Sequence, residues 1–212
     1  MTARVERVVT SGIFSLDGGD FEVDNNIWLV GDDDEVLIID AAHDAEPIAA
    51  AVGGRRVVAI VCTHGHNDHV NAAVELSALV GDAPIAIHDD DRFLWDVVHP
   101  DRAPDRNTFH GEVLEVAGVT LDVRHTPGHS PGGVCLHAPE LDTVFSGDTL
   151  FNGGPGATGR SFSDKATLLD SITRELFVLP GGTVVRTGHG DDTTVAAERA
   201  AFEAGEANWQ LP

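Results

Sequence analysis

The sequence predicts a single domain of mixed α and β structure, with sheets layered against helices that lie on the outside. Three observations lead to this prediction. The chain has 212 residues, which suits one sizeable domain with a substantial core. Strand-like runs come first in meander order and later alternate with helical segments, a pattern typical of packed sheets and helices. No short-period repeat or low-complexity linker interrupts residues 1–212, so we expect no internal boundary.

The first half of the chain is expected to contain five strands and three helices. Apolar runs separated by the turn sequences DGGD and GDDD predict the strands, and apolar-periodic segments predict the helices. The strands are expected at 5–14, 21–30, 35–40, 56–63 and 84–88. The helices are expected at 45–53 and 69–81, with a third that begins at Asp89 to Asp91.

The second half is expected to contain two hairpins, a helix, a last strand and a last helix. Leu168, Ile172 and Leu176 recur at helical spacing, and Pro180 with Gly181 ends that helix. The hairpins are expected at 112–125, turning at Ala117-Gly118, and at 132–148. The last strand is expected at 183–189, and the last helix from about Asp191 toward Trp209.

Composition restricts the partners and the location. The formal charge is −22, from 35 acidic and 13 basic residues, which disfavours nucleic acid because polyphosphate is repelled. No apolar run approaches the ~20 residues that span a bilayer, and the N-terminus has no apolar signal core. We therefore expect a cytoplasmic protein that acts on a small molecule, without a membrane or nucleic-acid partner, and a homodimer is compatible with the sequence. Cys62 and Cys135 lie in apolar runs and are expected to be buried thiols.

The segment HGHNDH carries the strongest chemical signal. It places His64, His66, Asp68 and His69 directly after the apolar strand 56–63. Imidazole nitrogens and carboxylates are ligands for divalent metals such as zinc or iron. The spacing therefore indicates a metal site at the end of this strand.

Three later residues occupy similar positions. His129, Asp148 and His189 each follow an apolar strand and lie beside glycine. Side chains at strand ends are held by a rigid element and still face an open edge. Four strands that each end in a ligand-type residue predict a common site.

The seven side chains suggest two divalent ions, with zinc preferred and iron or manganese as alternatives. His64 and His66 can reach one ion with His129, while Asp68 and His69 can reach a second ion with His189. Asp148 has two carboxylate oxygens, so it can bridge the two ions. Such a pair can activate a water molecule at neutral pH.

Four further residues are candidates for supporting roles. Asp40 ends the strand 35–40 and is expected either to orient a ligand histidine or to cap the helix that follows. Arg160, Lys165 and Arg186 are scarce positive charges near the site segments. They are expected either to meet a carboxylated substrate or to form ordinary surface ion pairs.

These motifs resemble the metallo-β-lactamase superfamily. His64, His66, Asp68 and His69 match its H-x-H-x-D-H signature, and His129, Asp148 and His189 match its three later ligands. The resemblance covers Phe21 to Gly190 and implies an αββα four-layer sandwich with a dinuclear site at one edge of the paired sheets.

Within this superfamily the chain is similar to the glyoxalase II group. The segments GDTLF and GGPGATGRSFSD resemble the GDTLF segment and glycine-rich loop of that group. The resemblance implies that a metal-bound hydroxide hydrolyses a thioester, with Asp68 as the residue that orients the hydroxide or accepts its proton. The chain ends about where the catalytic domain of that group would end, so no C-terminal helical glutathione-binding domain is expected. The resemblance over the full length to small mycothiol-linked hydrolases suggests an S-acyl or S-formyl thiol substrate.

Other functions of the same fold remain as alternatives. A persulfide dioxygenase would hold one Fe(II) with residues matching His64, His129 and Asp148. Lactone or other ester hydrolysis is a second alternative, although acyl-homoserine lactonases use an active-site tyrosine and this chain has none. A non-catalytic metal-binding protein is a third. The β-lactamases of the fold often carry a ligand cysteine that FSGD lacks, and its tRNA-processing nucleases need a basic surface.

Overall fold

The computed structural model describes residues 2–211 and contains two six-stranded sheets that pack face to face. The first sheet has the order β1-β2-β3-β4-β5-β6, antiparallel up to β3 and parallel from β3 to β6. Its strands are β1 (Arg4–Leu16), β2 (Gly19–Gly31), β3 (Glu35–Ile39), β4 (Arg56–Val61), β5 (Ile85–His88) and β6 (Arg106–Thr108).

The second sheet has the order β14-β13-β10-β9-β8-β7. Only its β10 and β13 pair in parallel. Its strands are β7 (Val113–Val116), β8 (Val119–His125), β9 (Val134–Ala138), β10 (Thr143–Gly147), β13 (Val184–Thr187) and β14 (Thr193–Thr194). A separate two-stranded sheet contains β11 (Leu150–Phe151) and β12 (Gly154–Pro155).

Six α-helices cover the outer faces. They are α1 (Ala45–Val52), α2 (Asn67–Val70), α3 (Ala73–Leu79), α4 (Arg92–Val98), α5 (Lys165–Ser171) and α6 (Val195–Glu203). A π-helical turn at Ile172–Leu176 extends α5. None of the helices within residues 2–211 is both long enough and apolar enough to cross a bilayer.

Successive side chains of a strand point to opposite faces of its sheet, and this alternation explains the layers. In β3, Val36 and Ile38 pack toward the helices α1 and α3, while Leu37 and Ile39 face the second sheet. Both faces of this strand are thus buried, and a strand of a parallel sheet under helices is expected to be continuously apolar. A third cluster fills the space between the second sheet and α5 and α6. The layers run helix, sheet, sheet, helix, as the resemblance implied.

Most expected elements are present, and four differ. The helix expected at 69–81 is two short helices, α2 and α3, because residues 71–72 form a turn between them. Thr193–Thr194 forms β14 at the sheet edge, so α6 begins at Val195 and ends at Glu203. The strand β6 was not expected, because Arg106–Thr108 is polar and its position comes from parallel pairing with β5.

Candidate metal centre

The seven candidate ligands converge where strands of both sheets end. We call His64, His66 and His129 the first ligand set. The Nδ1 atom of His66 lies 3.0 Å from Nε2 of His64 and 3.0 Å from Nε2 of His129. The loop after β4 therefore meets the loop after β8 from the opposite sheet.

Asp68, His69 and His189 form the second ligand set. The Nε2 atoms of His69 and His189 are 3.3 Å apart. The Oδ2 atom of Asp68 lies 3.6 Å from the first of these nitrogens and 3.4 Å from the second. Helix α2 supplies the first two residues, and the loop after β13 supplies the third.

Asp148 lies between the two sets. Its Oδ1 atom is 3.3 Å from Nε2 of His69. Its Oδ2 atom is 3.5 Å from Nε2 of His129 and 3.5 Å from Nε2 of His189. One carboxylate therefore contacts both sets, which is the position that a bridging ligand requires.

The cluster fits divalent cations. Nitrogens and oxygens bound tetrahedrally at about 2.0–2.1 Å are separated by roughly 3.3 Å, close to the spacings observed here. Facing nitrogen lone pairs repel unless a cation or proton lies between them. Oδ1 of Asp68 and Oδ1 of Asp148 are also buried without a hydrogen-bond partner among the described residues. Carboxylate oxygens that are buried without a hydrogen bond have lost their hydration, so they need a compensating positive charge nearby.

Electrostatics in the first set favour neutral imidazole. Burial lowers the pKa of His64 well below its usual value, and the neighbouring histidines add to this effect. Burial, together with the nearby His129, lowers the pKa of His66 to about 3. Neutral imidazole is the form that ligates metals.

The second set instead attracts positive charge. Burial opposes protonation of His69, but the carboxylates of Asp148, Asp68 and Asp40 outweigh it and raise its pKa well above the usual value. The same competition raises the pKa of His189 to about 10. Burial opposes ionisation of Asp68 too, yet the facing histidines lower its pKa. The carboxylates make this half of the cluster electronegative, and a bound cation would neutralise that negative charge.

The remaining ring nitrogens are held by hydrogen bonds to the protein. Nδ1 of His129 is 2.8 Å from the carbonyl oxygen of Ala157, and Nδ1 of His189 is 2.8 Å from that of Asp24. Donation through Nδ1 fixes the tautomer and directs the Nε2 lone pair toward the centre of the cluster. Backbone carbonyls thus orient two of the four histidines that face inward through Nε2.

Asp40 contacts the second ligand set directly and the first through Thr63. Its Oδ2 atom lies 2.9 Å from Nδ1 of His69 and accepts a hydrogen bond from the Thr63 hydroxyl at 2.9 Å. That hydroxyl lies 3.1 Å from Nδ1 of His64. The cap of α1 is Asp44, whose side chain accepts from the Glu46 amide. Of the two expectations for Asp40, the orienting contact is present and the helix cap is not.

Two residues beside the second set were not singled out from the sequence as site residues. The buried Nδ2 of Asn25 donates to Oδ2 of Asp68 at 3.2 Å and lies 3.3 Å from Nε2 of His69. Its Oδ1 atom accepts from Nε2 of His43 at 2.8 Å. The backbone of His43 is left-handed (φ 61°), a conformation that sequence patterns do not reveal. The asparagine lies in the middle of a strand, where nothing in a single sequence distinguishes it.

Asp91 joins the two loops that carry the first set. It is fully buried and accepts hydrogen bonds from the Gly65 amide at 2.8 Å, the Ser130 hydroxyl at 2.7 Å and the Gly132 amide at 2.6 Å. The helix start expected at Asp89 to Asp91 is present as a 3-10 turn that leads into α4, and its last aspartate is buried. Gly65 is required here because a Cβ atom would lie 2.8 Å from Cβ of Leu94.

The three basic candidates have different environments. Arg186 pairs with Asp192 at 2.7 Å and lies over the ring of Trp28 at 5.0 Å, so the ion-pair alternative describes it. Lys165 is half-buried at the first turn of α5 and has no side-chain partner among the described residues. Arg160 is exposed and lies 4.5 Å from the ring centroid of Phe21, in a small cavity that His66 and His129 also line.

Two larger cavities lie along the hairpin of β1 and β2. One of about 470 Å³ is lined by residues 11–13 and 22–24 and includes none of the seven clustered side chains. The other, of about 310 Å³, is lined by the hairpin turn, by α4 and by His66. Contact with a candidate ligand makes the second cavity the relevant one for chemistry.

Fold and cluster together define a class of protein, the metallohydrolases that hold divalent ions at the edge of two packed sheets. The family model described as the metallo-beta-lactamase superfamily matches residues 21–189. The chain therefore belongs to the metallo-β-lactamase superfamily.

Three relatives align with this chain over most of their own length. An uncharacterized protein of Aquifex aeolicus is 38% identical over 177 residues, which cover 78% of this chain and 83% of the relative. Hydroxyacylglutathione hydrolase GloC of Haemophilus influenzae is 32% identical over 190 residues, covering 82% and 89% respectively. The probable metallo-hydrolase YqgX of Bacillus subtilis is 32% identical over 188 residues, with the same coverage.

Solved structures have the same fold. The BLEG-1 B3 metallo-beta-lactamase superposes with a TM-score of 0.76 at 28% identity, covering 90% of this chain and 97% of that chain. TTHA1623 in a di-iron-bound form superposes with a TM-score of 0.72 at 33% identity, covering 84% and 93%.

Proposed function

We propose that this protein is a glyoxalase II-like thioesterase that hydrolyses an S-acyl or S-formyl derivative of a low-molecular-weight thiol. The observation that carries the proposal is the pair of ligand sets joined by Asp148. A relative with the printed name hydroxyacylglutathione hydrolase supports the reaction class. We further propose that two divalent ions are held, by His64, His66 and His129 and by Asp68, His69 and His189, with Asp148 between them.

The reaction consumes water and releases a carboxylic acid and a thiol. Bound divalent ions would polarise the thioester carbonyl and supply water acidic enough to attack at neutral pH. Oδ1 of Asp68 is buried without a partner among the described residues, so it is the oxygen available to orient that water and accept its proton. The leaving group needs no acid from the protein because a thiol has a pKa of about 8.5. It can therefore leave as a thiolate.

The substrate approaches from the side of His66 and His129. Arg160 lines the small cavity that these histidines share with Phe14 and Leu16. Its guanidinium is exposed and has no carboxylate partner in any described ion pair, so we propose that it meets a carboxylate of the thiol carrier. Glutathione and mycothiol derivatives are both suitable probes.

The second ligand set supports hydrolysis over persulfide oxygenation. An enzyme with one Fe(II) ion would need only His64, His129 and Asp148, whereas Asp68, His69 and His189 are also gathered at ligand spacing. This arrangement favours two ions and hydrolysis.

The test combines elemental analysis with a substrate panel of thioesters, a persulfide and a β-lactam, measured under air and under nitrogen. We expect about two divalent ions per chain and thioester hydrolysis at equal rates in both atmospheres. One iron per chain with oxygen uptake on the persulfide would overturn the proposal, as would turnover of the β-lactam alone.

Substituting the bridging carboxylate tests the site itself. Asp148→Ala should lower the metal content and reduce kcat/KM by roughly three orders of magnitude or more, because both ligand sets lose a shared oxygen donor. The control is His137→Ala on β9, where the imidazole lies 3.9 Å from Asp122. This variant should keep the metal content and rate of the wild type. Equal losses in both variants would contradict the ligand assignment.

A further inference from the structure

A cavity of about 310 Å³ opens beside the metal centre and has no role in the mechanism above. Three parts of the chain line it: the turn of the β1–β2 hairpin, the ligand loop at Gly65 to Asn67, and helix α4. Phe162 from the glycine-rich loop closes the remaining side. Because His66 is one of the lining residues, a group in this cavity would touch the candidate centre directly.

Hydrogen bonds fix the walls of the cavity relative to the ligands. The Asn67 side chain accepts from the Ser15 amide at 2.9 Å and donates to the Ile13 carbonyl at 2.8 Å, which ties the hairpin to α2. Oδ2 of Asp17 accepts from the Ser161 amide at 3.0 Å, which ties the hairpin turn to the glycine-rich loop. The cavity is therefore a built feature of the fold.

Its inner wall is apolar. Leu94, Val97 and Val98 project from successive turns of α4. Val97 is 80% exposed and Phe162 is 59% exposed, large values for apolar side chains in so acidic a protein. The ring of Phe162 contacts that of Phe93 edge to face at a centroid distance of 4.8 Å, and its backbone has a φ of 68°. A bulky residue in a left-handed conformation is costly and is found mainly at functional sites.

The polar groups at the rim are acidic. Asp17 and Asp20 line the cavity, and both carboxylates accept hydrogen bonds from serine. They would repel a second carboxylate, whereas Arg160, whose charge acts on Asp17, lines the neighbouring cavity on the side of His129. The two cavities thus differ in charge as well as in position, and they meet at His66 and Leu16.

We infer that the cavity between the β1–β2 turn and α4 binds the acyl group of the substrate, and that this group is a neutral alkyl chain. The inference rests on the proposed thioesterase function and adds the substrate class. At roughly 30 Å³ for a group the size of water, the cavity has room for about ten such groups, so an acyl chain of about four to eight carbons fits with space left at its open mouth. The acyl chain lies on one side of the centre, and the thiol carrier lies on the side of Arg160.

The test uses thioesters of one neutral thiol, N-acetylcysteamine, with acetyl, butanoyl, hexanoyl, octanoyl and dodecanoyl groups. Burial of each methylene should raise kcat/KM by roughly two- to fourfold, with a maximum between butanoyl and octanoyl and a decline at dodecanoyl. Val97→Asp should remove this dependence because it places a charge on the apolar wall.

A matched control is Val178→Asp. Val178 is 65% exposed and lies after the π-helical turn of the opposite helical layer, so this variant should keep the whole series of the wild type. Both valines are exposed, so neither substitution should prevent folding.

Binding is measured separately from turnover. S-methyl to S-octyl thioethers of the same thiol cannot be hydrolysed, and calorimetry with the metal-loaded protein should show affinity rising with chain length in the wild type but not in Val97→Asp. If thioethers bind in this way while no thioester is hydrolysed, the cavity assignment stands and the thioesterase proposal fails. If thioesters are hydrolysed but neither series depends on chain length, the inference is wrong and the thioesterase proposal stands. Loss of the dependence in Val178→Asp as well would also overturn the inference.

Discussion

The amide of Asn25 stabilises the second ligand set from inside the first sheet. Its nitrogen lies within 3.5 Å of Asp68, His69 and His189, and His43 holds its oxygen. A hydrogen bond to a ligating carboxylate fixes the direction of the lone pairs that face the ion. Asn25 is thus a positioning residue in this site.

Asn25→Ala should weaken binding of the second ion by about 10- to 100-fold while the first ion stays bound. Elemental analysis after equilibration with a graded series of chelator concentrations measures the two affinities. Asn107→Ala on β6, far from the ligands, serves as the control and should change neither affinity. Equal weakening of both ions by Asn25→Ala would show that the substitution perturbs the fold generally.

The thiol of Cys135 is suited to packing and not to chemistry. Burial raises its pKa to about 11, although the Thr126 hydroxyl partly opposes the shift. A raised pKa in the folded state means that the native protein holds this proton more tightly than the unfolded chain. The stabilisation is complete below the usual thiol value of 9.0 and is lost as pH rises toward 11.

Two measurements follow for this thiol. Alkylation by iodoacetamide at pH 8 should be negligible in the folded protein and should reach both cysteines after denaturation in guanidinium. Between pH 8.5 and 11 the free energy of unfolding should fall more steeply in the wild type than in Cys135→Ala, by up to about 3 kcal/mol. Equal slopes would contradict the protonated, buried thiol.

At the scale of elements, helix α4 organises the ligand loops through Asp91, the residue directly before its first turn. Asp91 receives three hydrogen bonds from residues flanking His64, His66 and His129. Burial raises the pKa of this carboxyl, and the three donors only partly offset the effect. The helix therefore connects two loops from opposite sheets.

Asp91→Ala should lower the free energy of unfolding by roughly 3 kcal/mol, because three buried donors lose their acceptor. For a chain of this size that corresponds to a decrease in Tm of about 6–12 °C, measured by calorimetry on the metal-loaded protein. Asp90→Ala is the control, since the Asp90 side chain is 58% exposed, and it should shift Tm by less than about 2 °C. A small shift for Asp91→Ala would show that water replaces the carboxylate.

The elements that carry the ligands were predictable because their signals are local. Continuous apolar runs identify β4, β10 and β13, and each is followed within a few residues by glycine and a ligand-type side chain. Strand β6 and the late start of α6 were not predictable, since both depend on pairing of short polar segments with a neighbouring strand. The role of Asp91 was not predictable either. It is one of three consecutive aspartates, and only the fold shows that its side chain is the one directed into the interior.

At the scale of the whole molecule, the sheet pairing that places the ligands together also concentrates charge. Asp40, Asp68 and Asp148 are buried within one cluster, in a chain whose net charge is already −22. Bound cations would neutralise this charge only in the folded state, and ligand binding to the native state alone raises its stability.

Removing metal with a chelator should therefore abolish activity and lower Tm by about 8–16 °C, the shift expected for about 4 kcal/mol of binding energy in a chain of this size. Adding back zinc, iron or manganese separately should restore both properties and should identify the metal that gives the highest kcat/KM. An unchanged Tm in protein shown by elemental analysis to be metal-free would contradict stabilisation by the site.

The layered fold and the seven clustered residues follow from the sequence because the motif and the strand ends specify them together. The substrate cavity does not follow, because its walls come from the hairpin turn, α4 and the loop near residue 162, which no local pattern connects. For Arg186 the sequence left a substrate contact and an ion pair open, and Asp192 and Trp28 contact its guanidinium, as the ion-pair alternative expects.

Asp40 has a consequence for how this centre tolerates change. One side chain at the end of β3 supports His69 directly and His64 through Thr63, so a shift of that strand end displaces a member of each half by a similar amount. The distance between the two ligand sets is preserved under such a shift, because both are attached to the same carboxylate. Replacement of this single carboxylate should instead misalign both halves at once.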